Sequence, residues 1–228
     1  MAIQHDEYQK RMSLEQFFAF VESDPDHRYE LIDSYPYMMT GGSPDHSIIC
    51  NNLGRILGNL LRKQPCIVYN SDVYVQLSQE NSCVCPDVSV SCYRRDRRAT
   101  KAIQYPSLVV EVLSSSTKIR DRGLKAELYQ NIATVQEILL VDTQVMRMQL
   151  YRRETDYWTM RNFTHDHTIE LTSLNVQFSL VEAYEKTTFD ENFLEEELKI
   201  WQRKYSNHAE TFGPRNFFFL YRNTPRHI

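Results

Sequence analysis

The amino-acid sequence predicts a mixed α/β (α+β) fold, in which a central mixed β-sheet is flanked by helices. Residues 45–62 carry apolar side chains at helical spacing, which is typical of an amphipathic helix. Residues 73–77 alternate between apolar and polar side chains, as a half-buried strand does. Residues 107–113 and 137–142 are nearly continuous apolar runs, which indicate strands buried on both faces. Strands interspersed with helices favour this fold class.

The elements follow in chain order. Ser13 is a suitable N-cap for a short helix with Leu14, Phe17, Phe18 and Val21 on one side. Residues 29–32 and 35–39 are predicted to pair as a hairpin, and Pro65 lies beyond the end of the long helix. The further predicted strands are 66–69, 73–77, 84–90, 107–113, 137–142, 146–152 and 157–163. Further helices are predicted at about 118–131 and 190–205. We expect one domain over residues 1–185 and a C-terminal helix and tail over 186–228.

Composition excludes several classes of protein. No apolar run approaches the roughly 18 residues that cross a bilayer, so no membrane partner is expected. The first 12 residues contain no apolar stretch typical of a secretory signal, and we therefore expect a cytoplasmic protein. The five cysteines are odd in number in a chain that is not short. A disulfide framework is therefore not expected, and free thiols fit a reducing compartment.

The charge of the chain is unevenly distributed. The net charge is -4, but residues 94–125 hold nine Lys/Arg against three acidic residues and are +6. The remainder holds 17 basic and 27 acidic residues and is -10. Such asymmetry is found on phosphate-facing surfaces and equally on solvated loops. The candidate nucleic-acid contacts are Arg94, Arg95, Arg97, Arg98, Lys101 and Arg122.

Two acidic residues stand out against their surroundings. Glu111 lies inside the apolar run Leu108–Leu113, where a carboxylate loses solvation and costs several kcal/mol unless it is paired, protonated or bound to metal. Asp87 follows Pro86, which suits a strand start or bulge. Together the two carboxylates are a plausible Mg²⁺ site, because Mg²⁺ binds one or two carboxylates and keeps water and phosphate as its other ligands. The alternative is that Glu111 lies at a sheet end, paired with Lys or Arg.

Lys125 is predicted on the helix after Glu111, beside a buried apolar stripe. From there the lysine could reach the carboxylates. The residues alone slightly favour another interpretation, in which Lys125 forms a surface ion pair with Asp121 worth about 0.3 kcal/mol.

The set of motifs resembles the Uma-type family of proposed restriction endonucleases in the PD-(D/E)XK nuclease superfamily. The resemblance covers about residues 14–181. It is carried by Arg28–Asp33, Ser43–His46, Pro86–Val90, Val109–Ser114, Arg120–Lys125 and Glu127–Tyr129. One departure is Ser34-Tyr35-Pro36, where the family usually has a glycine-rich turn. It puts the shape of the first hairpin in question.

The resemblance implies a restriction-endonuclease-like core and a metal-dependent endonuclease that hydrolyses DNA with Mg²⁺ or Mn²⁺. It implies that Asp87 and Glu111 ligate the metal and that Glu30 is an additional acidic residue of the site. The superfamily pattern expects a lysine two residues after the glutamate. Leu113 stands there, as in the family, so the lysine role passes to Lys125. His46 matches a histidine that opens the long helix, where a polar contact is favoured over a catalytic base.

Further alternatives stay open. Glu30 lies in an alternating segment and could simply face solvent. The chain could be an inactive nucleic-acid-binding relative, or a structural homodimer whose carboxylates are only salt-bridged; a homodimer is also compatible with nuclease action. A zinc module of Cys83, Cys85, Cys92 and Cys50 is disfavoured, because Cys-x-Cys lacks the usual spacing of zinc ligands and buried thiols behave as small apolar groups.

Overall fold

The computed structural model describes residues 10–77, 81–113, 125–164 and 167–189. The helices are α1 (Leu14–Ser23), α2 (Pro44–Leu61), α3 (Ala126–Gln130) and α4 (Leu180–Ala183). The strands are β1 (Tyr29–Ile32), β2 (Tyr35–Met38), β3 (Ile67–Asn70), β4 (Tyr74–Leu77), β5 (Ser82–Val84), β6 (Val88–Ser91), β7 (Ala102–Ile103), β8 (Leu108–Leu113), β9 (Glu137–Asp142), β10 (Arg147–Arg153), β11 (Trp158–Thr164), β12 (Thr168–Leu171) and β13 (Val176–Ser179).

The predicted central mixed sheet is confirmed. It has six strands in the order β11-β10-β9-β8-β6-β3, with β8 and β9 parallel and the other neighbours antiparallel. A second sheet has the order β2-β1-β5-β4-β7, and β12 pairs with β13. With helices beside mixed sheets, this is a restriction-endonuclease-like fold.

Both faces of the central sheet are covered. On one face, α2 and the β12–β13 pair pack against alternate residues of β8, including Val110 and Val112. On the other face, the second sheet and α3 pack against Val109 and Leu113. Every residue of β8 is buried, as its continuous apolar sequence predicts. Side chains two residues apart on a strand lie on the same face, so Glu111 lies on the face of β8 that carries Val109 and Leu113 and that α3 covers.

The N-terminal elements form as their local sequence predicts. Ser13 caps α1, and with Gln16 it completes a capping box. Ser43 caps α2, and Pro44 occupies the first turn, where its missing N–H costs nothing. The β1–β2 hairpin forms although glycine is absent from its turn, because Asp33 and Ser34 both adopt positive φ (51° and 72°). The departure from the family's turn sequence therefore leaves the hairpin intact.

The predicted strand 84–90 is in fact two strands. The chain leaves the second sheet after β5 and enters the central sheet at β6, and Cys85, Pro86 and Asp87 lie between them. Pro86 cannot donate a ladder hydrogen bond, so pairing stops there. Strands β12 and β13 were not predicted, although Thr168–Leu171 alternates between polar and apolar residues.

The expectation of free thiols holds for three of the five cysteines, and the other two form a disulfide. Cys66 and Cys92 form a disulfide, whereas Cys50, Cys83 and Cys85 are free. The reason is the register of β3 and β6, in which Ile67 pairs with Ser91. Cys66 and Cys92 are the next pair of positions in that register, so their sulfur atoms meet. Spacing along the sequence carries no sign of this pairing.

Among the described helices, none combines the length and apolar character that crossing a membrane requires. The helix predicted at 190–205 and the tail to residue 228 lie outside the described residues. The boundary predicted at residue 185 therefore stays a prediction.

Glu137 ties the β12–β13 region to the central sheet. Its side chain is fully buried at the start of β9. It accepts hydrogen bonds from Arg152 Nε at 2.9 Å, from the Thr172 N–H at 3.1 Å and from the Ser173 N–H at 3.2 Å. These donors converge from β10 and from the turn after β12, so one carboxylate joins three parts of the fold.

We expect Glu137→Ala to lower the free energy of unfolding by about 3 kcal/mol, because a partly buried guanidinium and two backbone N–H groups lose their partner. Urea denaturation followed by circular dichroism measures this, with the exposed Glu170→Ala as the matched control. Equal stability of the two variants would contradict the structural role of Glu137.

Candidate active site

A cleft of about 1020 Å³ opens where α2, β1, β6 and β8 meet. Five of the residues that the sequence singled out line it: Glu30, His46, Asp87, Glu111 and Lys125. They come from separate elements along the chain, so the fold rather than local sequence brings them together.

Asp87 enters the cleft at the start of β6. One carboxylate oxygen accepts a hydrogen bond from the Val112 N–H of β8 at 2.7 Å, and the other lies 3.3 Å from His46 Nε2. Val88 pairs with Val110 in the antiparallel β6–β8 ladder. One residue further, the register places Asp87 opposite Glu111. This explains why two acidic residues far apart in sequence line one cleft.

Glu111 is 3% exposed. Its Oε1 atom accepts hydrogen bonds from Lys125 Nζ at 3.1 Å and from the Tyr129 hydroxyl. The carboxylate is thus desolvated but has charged and polar partners, which a buried charge requires. Glu111 lies within β8 and not at a sheet end, but the pairing with a lysine that the alternative expected is present.

Lys125 lies between two carboxylates. Its Nζ atom is 2.9 Å from Glu30 Oε1 and 3.1 Å from Glu111 Oε1, and the residue is 4% exposed. The sequence slightly favoured a surface ion pair between Lys125 and Asp121. That prediction is wrong, since Lys125 is buried. Asp121 itself lies outside the described residues.

Glu30 does not face solvent. It is 3% exposed in β1, and its Oε1 atom also accepts the Cys85 N–H at 2.9 Å. The solvent-facing alternative is thus wrong, although period-two alternation made it reasonable. Glu30 links the second sheet to Lys125 and through it to Glu111.

His46 and Cys50 lie one turn apart on α2, on the side that faces the cleft. Cys50 Sγ is 3.6 Å from His46 Nδ1. Burial, followed by the negative charges of Asp87 and Glu111, raises the pKa of the Cys50 thiol well above its usual range. In the absence of a cation this thiol therefore stays protonated at neutral pH. Sequence reasoning missed Cys50 as part of this site, although its four-residue spacing from His46 was a usable signal.

The four-cysteine zinc module is not formed. Cys92 is bonded to Cys66, and Cys83 is buried in β5 within a separate apolar cluster. Burial is the largest factor that raises the pKa of Cys85, to about 12. Cys83 and Cys85 are thus buried thiols, in agreement with the preferred interpretation of the sequence.

The described basic residues between Arg94 and Lys101 do not line the cleft. Arg94, Arg95, Arg97, Arg98 and Lys101 are absent from its lining, and Arg122 lies outside the described residues. Lys101 pairs with Glu22 at 2.6 Å, and Arg95 donates to the Tyr105 hydroxyl at 3.3 Å. Arg28 and Arg55, which are not among these candidate contacts, line the cleft instead. Nucleic-acid contact by these six residues stays a prediction.

The residues present fit a divalent cation. Asp87, His46 and Cys50 offer three ligand atoms that lie within 4.8 Å of one another, and the Glu111 carboxylate lines the same cleft. A carboxylate, an imidazole and a thiol are all metal ligands. The carboxylates of Asp87 and Glu111 bring negative charge to the cleft, which attracts a cation.

Comparison with known proteins identifies the family of the chain. Residues 14–182 match the Uma2 family, described as "Putative restriction endonuclease". The chain belongs to this family. The match spans every described element that lines the cleft and supports a nuclease function in general terms.

Individual relatives of this Uma2 chain cover most of its length. It is 36% identical over 180 residues to the uncharacterized protein slr1290 of Synechocystis, a match covering 78% of this chain and 94% of the relative. It is 28% identical over 137 residues to the uncharacterized protein sll1609 of Synechocystis, covering 59% and 77% of the two chains. A crystal structure titled as a putative nuclease belonging to DUF820, from Anabaena variabilis, is 18% identical with a TM-score of 0.62. It covers 76% of this chain and 97% of its own, and at that identity the likeness shows the fold.

Proposed function

We propose that this chain is a divalent-cation-dependent endonuclease that hydrolyses phosphodiester bonds of DNA. The observation that carries the proposal is the position of Lys125, a buried cation in contact with both Glu30 and Glu111 in the cleft that Asp87 lines. In a restriction-endonuclease-like fold, carboxylates that can bind a cation and a lysine that can stabilise negative charge on the phosphate are the groups that phosphodiester hydrolysis requires.

In this proposal Asp87 and Glu111 bind Mg²⁺ or Mn²⁺. The cation would polarise a phosphate oxygen and lower the pKa of a bound water. Lys125 places a positive charge where negative charge develops on the phosphate, or orients the attacking water. Glu30 and the Tyr129 hydroxyl hold Lys125 and Glu111 in position.

Nucleic acid would approach the open side of the cleft. Arg28 and Arg55 line it and can contact phosphates, which gives affinity without reading sequence. Arg94, Arg95, Arg97, Arg98, Lys101 and Arg122 remain candidate contacts for the flanking backbone. A cytoplasmic location, where DNA is accessible, is part of the same proposal.

A homodimer also belongs to this proposal, since two sites could then act on two strands. Strand β11 is an edge of the central sheet, and Tyr157 and Met160 are exposed there by 64% and 47%. Light scattering coupled to size exclusion measures the molecular mass. A value near that of a single 27.1 kDa chain at micromolar concentration would exclude the dimer.

Cleavage of supercoiled plasmid tests the activity. Wild-type protein is expected to nick or linearise DNA with Mg²⁺ or Mn²⁺ and to stop when EDTA removes the cation. Asp87→Asn keeps the shape of the side chain but loses its charge, and it is expected to lower the rate at least about 10³-fold, since a positioned cation is worth several kcal/mol of barrier.

The matched control is Asp72→Asn, which changes an exposed acidic residue outside the cleft. A wild-type protein that shifts DNA on a gel but cleaves none with either cation would identify the inactive binding relative instead. Cleavage that survives in Asp87→Asn would indicate a contaminating nuclease.

A further inference from the structure

Three side chains in the cleft have the chemistry of a transition-metal site. His46 offers an imidazole, Cys50 a thiol and Asp87 a carboxylate, and their ligand atoms lie within 4.8 Å of one another. His46 contacts its two neighbours through opposite ring nitrogens, with Nε2 3.3 Å from Asp87 Oδ1 and Nδ1 3.6 Å from Cys50 Sγ. One ion takes only one of these nitrogens, so the 4.8 Å limit describes the ligand set. Ligand atoms around one Zn²⁺ ion lie within about 4 Å of each other, so only a small contraction is needed.

We propose that His46, Cys50 and Asp87 bind one transition-metal ion of the Zn²⁺ class. Mg²⁺ and Ca²⁺ take oxygen ligands, whereas imidazole and thiolate ligands favour Zn²⁺, Co²⁺ and similar ions. Two of the three ligands are of that second kind. Binding replaces the thiol proton of Cys50 with the metal ion and releases that proton to water.

The fold presents the two softer ligands in a rigid arrangement. His46 and Cys50 are four residues apart on the 18-residue helix α2, so they lie on one face a single turn apart. Asp87 is held independently, because the Val112 N–H donates to its other carboxylate oxygen. One rigid helix and one anchored loop therefore supply the ligands.

A glycine makes room for the imidazole. A Cβ atom at Gly42 would lie 2.6 Å from His46 Nδ1 and 2.7 Å from Cγ, whereas a Cβ atom at Gly41 would meet no heavy atom within 4 Å. Neither glycine has positive φ, so alanine strains the backbone at neither position. Gly42→Ala must therefore displace the imidazole ring while leaving all three ligand residues in the chain.

This proposal does not rest on nuclease activity, although Asp87 belongs to both sites. It is tested by titrating Co²⁺ into the full chain without DNA and without added reductant. Thiolate coordination to Co²⁺ produces a charge-transfer absorption band in the near ultraviolet. We expect this band in the wild type, saturating at one ion per chain.

Cys50→Ser is expected to abolish the band. In a competition titration it is expected to weaken Zn²⁺ binding by about 10-fold to 100-fold or more, since changing a residue that only supports a metal ligand already costs that much affinity. Gly42→Ala is expected to weaken Zn²⁺ binding by a similar factor, whereas Gly41→Ala binds as the wild type does. Cys83→Ala, which removes a buried thiol outside the cluster, keeps the band.

Circular dichroism confirms that each variant is folded before titration. Absence of the band in the wild type, persistence of the band in Cys50→Ser, or equal Zn²⁺ affinity in Gly42→Ala and Gly41→Ala would each overturn the proposal. Because no DNA is present, failure of this experiment leaves the proposed nuclease function standing, and a protein without nuclease activity can still pass it.

Discussion

Replacing Lys125 with methionine is expected to lower both the stability of the protein and its rate of DNA cleavage. Methionine keeps most of the length of the side chain but loses the charge that contacts Glu30 and Glu111. Removing one partner from a buried ion pair typically costs about 3–5 kcal/mol, because the remaining charges stay desolvated. We expect a loss of that size in urea unfolding.

The cleavage rate should fall independently of this loss of stability. Removing one preorganised group that stabilises transition-state charge typically costs about 10²-fold to 10³-fold in rate. The rate is measured per folded molecule, at a temperature well below the unfolding transition of the variant. Arg152→Met is the matched control, because it breaks a partly buried pair with Glu137 away from the cleft. If Lys125→Met cleaves DNA at the rate of Arg152→Met, Lys125 is only a structural residue.

Much of the fold followed from local patterns of sequence. The bounds of β9 agree with the predicted strand 137–142, and helix α2 begins and ends within one residue of its prediction. These elements are long or continuously apolar, so periodicity alone identifies them. Glu111 was also recognisable, since a carboxylate inside an apolar strand requires a partner.

Contacts that depend on tertiary structure were harder to predict. Lys125 has one acidic residue at four-residue spacing, and local reasoning pairs the two. Its observed partner Glu30 lies on the first strand of another sheet, and nothing local indicates that this strand packs there. The Cys66–Cys92 disulfide depends in the same way on the register of β3 and β6. Cys50 joins His46 and Asp87 only because β6 begins beside α2.

Replacing Glu111 with glutamine separates a functional carboxylate from a structural one. Glutamine keeps an acceptor for the Lys125 amino group and for the Tyr129 hydroxyl, while Lys125 retains its ion pair with Glu30. The variant removes one buried negative charge from a site where two carboxylates share this lysine. We therefore expect the free energy of unfolding, measured without divalent cations, to be unchanged or to rise by about 1 kcal/mol.

The rate of DNA cleavage should fall at least about 10³-fold in the same variant, because a proposed metal ligand is lost. If Glu111→Gln keeps or gains stability but loses activity, the carboxylate is present for function at a cost in stability, as is typical of active sites. Glu137→Gln is the matched control. There a buried carboxylate holds a guanidinium and two backbone N–H groups, so stability should fall while the cleavage rate per folded molecule stays the same. If Glu111→Gln behaves like Glu137→Gln, the carboxylate of Glu111 serves the fold and the metal site lies elsewhere.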